Sequence, residues 1–224
     1  MAMKEVYVIK GGSGESYEQF RVRINDLIEK LKGFDGIVKL KFTLTEAPPP
    51  KFSIIPFKKE KVNVISVVRN GREDLSFIKD SPGFVGAYEV EEAVPVEYKQ
   101  TWEMGEVTPG VCLLTLFHSK KNIEYDTFID RWHNSHTPLS LRLHPLWNYI
   151  RNVVKRPITE DSVWYDGIVE EQVRTRDELL NPFIFFGPFF KVPYHMLLVY
   201  RDTKSFIDYK RIETFLVNEY IVSC

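Results

Sequence analysis

The 224-residue sequence predicts an α+β protein made of two diverged βαββαβ halves that fold together as one unit. Two observations carry this. Strand and helix patterns follow one another in the same order twice, and short sequence matches recur in the same relative places. The composition agrees, with 44% hydrophobic and 27% charged residues, an ordinary globular balance that needs no disulfide or metal to hold a core.

In the first half, Glu5–Lys10 alternates as a strand and the glycines of Gly11–Gly14 end it. Ser16 then caps a helix whose Phe20, Ile24, Leu27, Ile28 and Leu31 form one apolar stripe, closed by Gly33. Val38–Leu44 is a half-buried strand. Ala47–Lys61, with three consecutive prolines and a lysine cluster, is an exposed connection, its Lys58-Lys59-Glu60-Lys61 a solvated loop rather than a binding patch. Val62–Arg69 is a strand, Arg72–Lys79 a short helix and Tyr88–Val96 a strand. In the second half the strands are Val111–Phe117, Trp147–Val154, Tyr165–Val173 and Thr214–Val222. Glu124–Ser135 is a patterned helix, and Arg176–Lys210 is helical around a proline-broken aromatic centre.

Three matches tie the halves together. Tyr17-x-x-Phe20-x-x-Arg23 corresponds to Tyr125-x-x-Phe128-x-x-Arg131, Val68–Leu75 to Val173–Leu179, and Val90-Glu91-Glu92 to Val217-Asn218-Glu219. Asp-Gly-Ile-Val also occurs twice, at Asp35–Val38 and Asp166–Val169, but in strands of different rank, which makes it a coincidence. The division falls at residues 1–105 and 106–224. Each four-stranded sheet would carry helices on one face and leave the other bare, and two sheets packed face to face would cover both.

Charge and cysteines narrow the function. A net charge of −1 gives no electrostatic footprint for nucleic acid or an anionic membrane surface. Cys112 sits in an apolar run and Cys224 ends the chain, which suggests a reducing compartment and a soluble, cytoplasmic protein. The apolar runs Val111–Phe117 and Phe183–Phe190 are too short to span a bilayer. Gly11–Ser16 lacks the spacing of a phosphate-binding loop.

The chemically distinctive stretch is Phe128–Leu139. Spacing by four puts Phe128, Trp132 and His136 on one helical face with Leu139 and Leu143, directed at the sheet. Pro138 cannot donate to Asn134, so the helix should kink or end near His136. A histidine so placed is either a satisfied core residue or a cavity group able to move protons. His133-x-x-His136 has the spacing of a metal pair, but no third ligand is clustered with it, and no metal is expected.

Together with Tyr149–Asn152, Tyr165–Ile168 and Ser205–Glu219, the run Phe128…Trp132…His136-Thr137-Pro138-Leu139 resembles the EthD family over roughly residues 111–222. The resemblance implies tandem ferredoxin-like units closed as an intramolecular dimeric α/β barrel, with a small-molecule pocket between sheet and helices. It also implies kinship with cofactor-free enzymes, lyases, cyclases, decarboxylases and dehydratases, acting on aromatic or polyketide-like compounds. The family's characteristic histidine falls on His136, the expected general acid/base, and its Asp-Gly on Asp166-Gly167. Among the helpers, Tyr149 would orient a phenol or carbonyl and Asp166 would hold the histidine's tautomer. Trp132, His133, Phe186 and one of Arg151 or Asn152, which alternate across a strand, would contact substrate. A non-catalytic binding or accessory protein would use the same pocket. The Phe- and Pro-rich insertion Asn181–Tyr194 departs from the family pattern and would cap the pocket or fill it. Aligned on the Tyr-x-x-Phe-x-x-Arg motif, Ile28 stands opposite His136 and Asn25 opposite His133, so any histidine site is single. A homodimer is allowed but not required, because the tandem unit already pairs its sheets.

Overall fold

The chain is an α+β protein whose eight antiparallel strands close into one barrel; the structure, a computed structural model, describes residues 3–71 and 74–223. The strands are β1 (Met3–Lys10), β2 (Ile37–Leu44), β3 (Val62–Arg69), β4 (Phe84–Val96), β5 (Val111–Phe117), β6 (Asn148–Pro157), β7 (Gly167–Val173) and β8 (Glu213–Ser223). Around the barrel they run β1-β3-β2-β8-β5-β7-β6-β4. Within each half the first strand lies between the fourth and the third, and the second strand pairs with the third. The halves join through the β2–β8 and β4–β6 ladders, both antiparallel. The sheets therefore do not stack face to face. They meet edge to edge, which removes the free edges that two open sheets would leave.

At β5 both faces of the barrel wall are covered, and every one of its residues is buried. One side faces the interior, where Val6, Val8, Val64, Leu114, Leu116, Ile168 and Phe215 pack together. At one end of the interior, Lys41 donates to Glu170 at 2.6 Å and to Glu219 at 2.9 Å, pairing charges that would otherwise be buried alone. The other side carries helices. Over the first half lies α1 (Tyr17–Lys32), started by a capping box in which Ser16 Oγ accepts from the backbone N–H of Gln19. Its five stripe residues are all buried against the sheet. The expected short helix after β3 is a 3-10 turn at Ser76–Asp80, and Arg72, where it was expected to begin, lies outside the described residues.

Over the second half the helix does not end at His136. It runs through α2 (Tyr125–Asp130), a π-helical stretch at Arg131–His136, and α3 (Thr137–Leu143). The π turn absorbs the break that Pro138 imposes: the Thr137 N–H donates to Trp132 O, and the chain continues past the proline. The aromatic region resolves into α4 (Arg176–Leu180), α5 (Pro182–Phe185) and α6 (Val192–Lys204). No helix among the described residues is long and apolar enough to cross a membrane.

Candidate functional site

A cavity of about 440 Å³ lies between the outer face of the β5–β8 sheet and the helices of the second half. Its floor is set by strand register. Glu171 on β7 stands directly opposite Leu113 on β5 and Tyr149 on β6, so the three form a row across the sheet on the helix side. Phe117, Trp132 and Phe206 wall it, the Phe117 and Trp132 rings edge to face at 5.0 Å. Phe185 and Phe186, from the insertion, close one end. The insertion thus caps the cavity without filling it, and its remaining phenylalanines, Phe183, Phe189 and Phe190, are exposed. The proline-rich connection from the first half contributes Ile54, Ile55 and Pro56. It was expected to be exposed throughout, yet Ile55 is buried in the apolar cluster of the second half.

His136 lies on this wall at the end of the π turn. Its Nδ1–H donates to Asp202 Oδ2 of α6 at 2.8 Å, which leaves Nε2 as the acceptor nitrogen. Nε2 has one long contact, from the Ser140 hydroxyl at 3.2 Å. Ser135 Oγ donates to the other Asp202 oxygen at 2.6 Å. Burial works to raise the Asp202 carboxyl, but the hydrogen bonds from His136 and Ser135 win and hold it below its ordinary value. A fixed carboxylate behind Nδ1 sets the tautomer and stabilises an imidazolium once Nε2 takes a proton.

Glu171 is the opposite case. Burial pushes its carboxyl up to about 7, offset by the nearby His136, and among the described residues no hydrogen bond reaches it. At neutral pH it is poised to give a proton or take one. His144 also lines the cavity, stacked on Phe185 at 4.0 Å with its Nδ1–H donating to Phe185 O at 2.9 Å. Burial drives it down to about 4, so it stays a neutral imidazole.

Several expected helpers lie elsewhere. Asp166 does not meet His136: it accepts from the Ser119 N–H at 2.8 Å and the Trp164 indole at 3.1 Å, and the carboxylate on His136 Nδ1 is that of Asp202. Its partner glycine has a packing reason, since a Cβ at Gly167 would sit 2.4 Å from the Phe117 ring and 2.8 Å from Trp132. Arg151 and Asn152 face opposite sides of β6 as expected, but neither lines the cavity. Arg151 donates to Thr137 Oγ1 at 2.7 Å, and Asn152 donates to Ile168 O at 3.1 Å. His133 lies edge-on to Trp132, behind the cavity wall, with Nε2 buried and unpaired. Tyr149 does line the cavity, where burial raises its hydroxyl above the ordinary value and its ring supplies wall. Trp132 and Phe186 line the cavity with His136. No group of three or more His, Cys, Asp or Glu among the described residues is placed to hold a metal ion.

Asp202, Glu171, Ser140 and His144 were not anticipated. A signal existed for Glu171, since two adjacent carboxylates, Glu170-Glu171, stand within a strand flanked by Ile168, Val169 and Val173 and must face opposite sides. Asp202 had none, because nothing in the sequence shows how α6 crosses the π turn.

No protein-family profile matches the sequence, and no curated protein matches it at a significant level. Solved structures do match. A "putative monooxygenase" from Fusobacterium nucleatum subsp. nucleatum superposes with a TM-score of 0.52 at 10% identity, covering 99% of this chain and 93% of that one. An anthrone oxidase-like protein superposes with a TM-score of 0.57 at 8% identity, covering 99% and 91%. At such identities the likeness concerns the fold alone, which this chain shares with both over nearly its whole length.

Proposed function

We propose that the chain is a cofactor-independent enzyme that removes a proton from a carbon next to a carbonyl in a small aromatic or polyketide-like compound. In this reading it is a tandem duplication of a ferredoxin-like unit. Residues 106–224 form the EthD-like half that carries the site, and residues 1–105 are the built-in partner. The cytoplasmic location suggested by the cysteines belongs to the same proposal. One observation carries the chemistry. His136, fixed by Asp202, and Glu171, a carboxyl with no hydrogen-bond partner among the described residues, line the same largely apolar cavity.

In the dehydration this pair suits, Nε2 of His136 takes the proton, and the C–H electron pair becomes the new C=C bond. The C–O bond at the next carbon breaks, and the departing hydroxyl takes the Glu171 proton and leaves as water. The imidazolium then returns its proton to the Glu171 carboxylate through solvent. A positioned acid or base contributes about 10²–10⁴-fold. The test is product formation, followed by mass spectrometry, across aromatic ketones and polyketide-like lactones. Turnover by the wild type and none by His136→Ala is the expected result. Turnover unchanged in His136→Ala overturns it. No product with any compound, alongside ligand affinity altered by His136→Ala, favours the binding or accessory protein.

The names of the two similar structures favour a second outcome for the same carbanion, oxidation by dioxygen. There a CH₂ group becomes C=O, with one oxygen atom entering the substrate and the other leaving as water. Oxygen uptake during turnover separates the two.

A further inference from the structure

The cavity's polar groups are segregated. The inner wall carries His136 and Glu171 among aromatic rings, whereas Lys58 and Lys210 lie exposed among the residues that line its outer edge. The lysines come from distant parts of the chain, yet the backbone ties them together. The Lys58 N–H donates to Thr214 O at 2.8 Å, and Thr214 Oγ1 donates to Pro56 O at 2.9 Å. These bonds seat the proline-rich connection beside the turn that precedes β8.

The carboxylates nearest in sequence to Lys210 are already engaged. Asp208 accepts from Arg211 Nε at 2.8 Å and from the Lys210 backbone N–H at 3.1 Å. Glu213 accepts from Tyr165 at 2.8 Å and is paired with Lys10. Neither lysine side chain forms an ion pair with another described residue. Two cations without an ion-pair partner among the described residues therefore stand at the rim of an apolar cavity. An anion is disfavoured deeper in, where the same burial that holds the Glu171 proton would act on it.

We infer that the substrate is a carboxylated aromatic compound, bound with its carboxylate between Lys58 and Lys210 at the rim and its ring system in the cavity beside His136. This inference rests on the proposed function for the reaction but not for the binding. Electrostatic attraction at the rim would fix which end enters first, so the reactive carbon, not the anion, reaches Nε2.

The test is affinity, read by quenching of tryptophan fluorescence (Trp132 is in the wall), for 3-hydroxy-2-naphthoate and for its methyl ester at low salt. The wild type is expected to bind the acid about fivefold or more tightly than the ester, the scale of two exposed ion pairs. That preference should shrink at high salt and vanish in the Lys58→Gln/Lys210→Gln double variant, with ester affinity unchanged. His136→Ala should keep the preference while losing turnover, so the binding and catalytic claims fail separately. Equal affinity for acid and ester, a preference that survives the double variant, or no binding of either compound overturns the inference.

Discussion

The two halves share a strand order and differ in what lies beneath their first helix. In the first half α1 is one regular helix, and Phe20, Ile24, Leu27, Ile28 and Leu31 are packed flush on the sheet. In the second, a π turn divides the helix and a cavity of about 440 Å³ lies beneath it. The position aligned with His136 is Ile28, which is 3% exposed in an apolar cluster. The same layout supports a filled core or a site. The cavity coincides with Pro138, which forbids a regular turn, and with the polar His136 and Asp202 beside the deformed helix.

The largest expected contrast is between substitutions at the aligned positions. His136→Ala should lower turnover by about 10²–10⁴-fold and leave the circular dichroism spectrum unchanged. Ile28→Ala should leave the site intact but cost about 2–5 kcal/mol of stability, because it opens a cavity in a filled core. If chemical denaturation finds His136→Ala the more destabilising of the two, the contrast between halves is wrong.

Glu171 sharpens the comparison through pH. Its folded value of about 7 lies above the ordinary 4.5, so the folded state holds the proton more tightly. The stability this contributes is complete below about pH 4.5 and is lost as the pH rises through 7. Glu171→Gln should therefore change little at pH 4.5 and stabilise the protein at pH 8 by on the order of 1–3 kcal/mol. It should lose activity at both. No stabilisation at pH 8 would mean that the wild-type carboxyl is solvated.

His144 works in the other direction. Its value falls from 6.5 to about 4, so its contribution is complete above pH 6.5 and lost as the pH falls toward 4. His144→Phe should flatten that part of the acid limb in melting curves. The smallest expected effect is Asp202→Asn, which keeps the hydrogen-bonding shape but removes the charge that stabilises the imidazolium. It should lower kcat, though less than His136→Ala, with KM nearly unchanged.

The barrel's elements were legible because most depend on local rules. β3 and β5 run over the residues that alternation and apolar runs assign, and Ser16 and Gly33 bound α1 as their types predict. The π turn was half legible: Pro138 announces a break, but whether a helix ends or widens depends on what packs beyond it. Of the cavity's lining, the inward placement of Trp132 and His136 could be read from helical spacing, and Phe186 from the Phe- and Pro-rich insertion. Asp202 lies 66 residues from His136 and meets it only because α6 packs across the π turn, a placement that no local pattern encodes. For the same reason the lysines of the proline-rich connection looked merely solvated, since only the closed barrel brings Lys58 to the rim.

The most direct measurement is thermal unfolding of wild type and His136→Ala with a panel of aromatic carbonyl compounds and acids. A ligand at 100 times its Kd adds about 2.7 kcal/mol, or roughly 5–10 °C for a chain of this size. The account predicts such a shift in the wild type, weakened in His136→Ala. No shift with any compound, or an equal shift in both proteins, would contradict a ligand site built around His136.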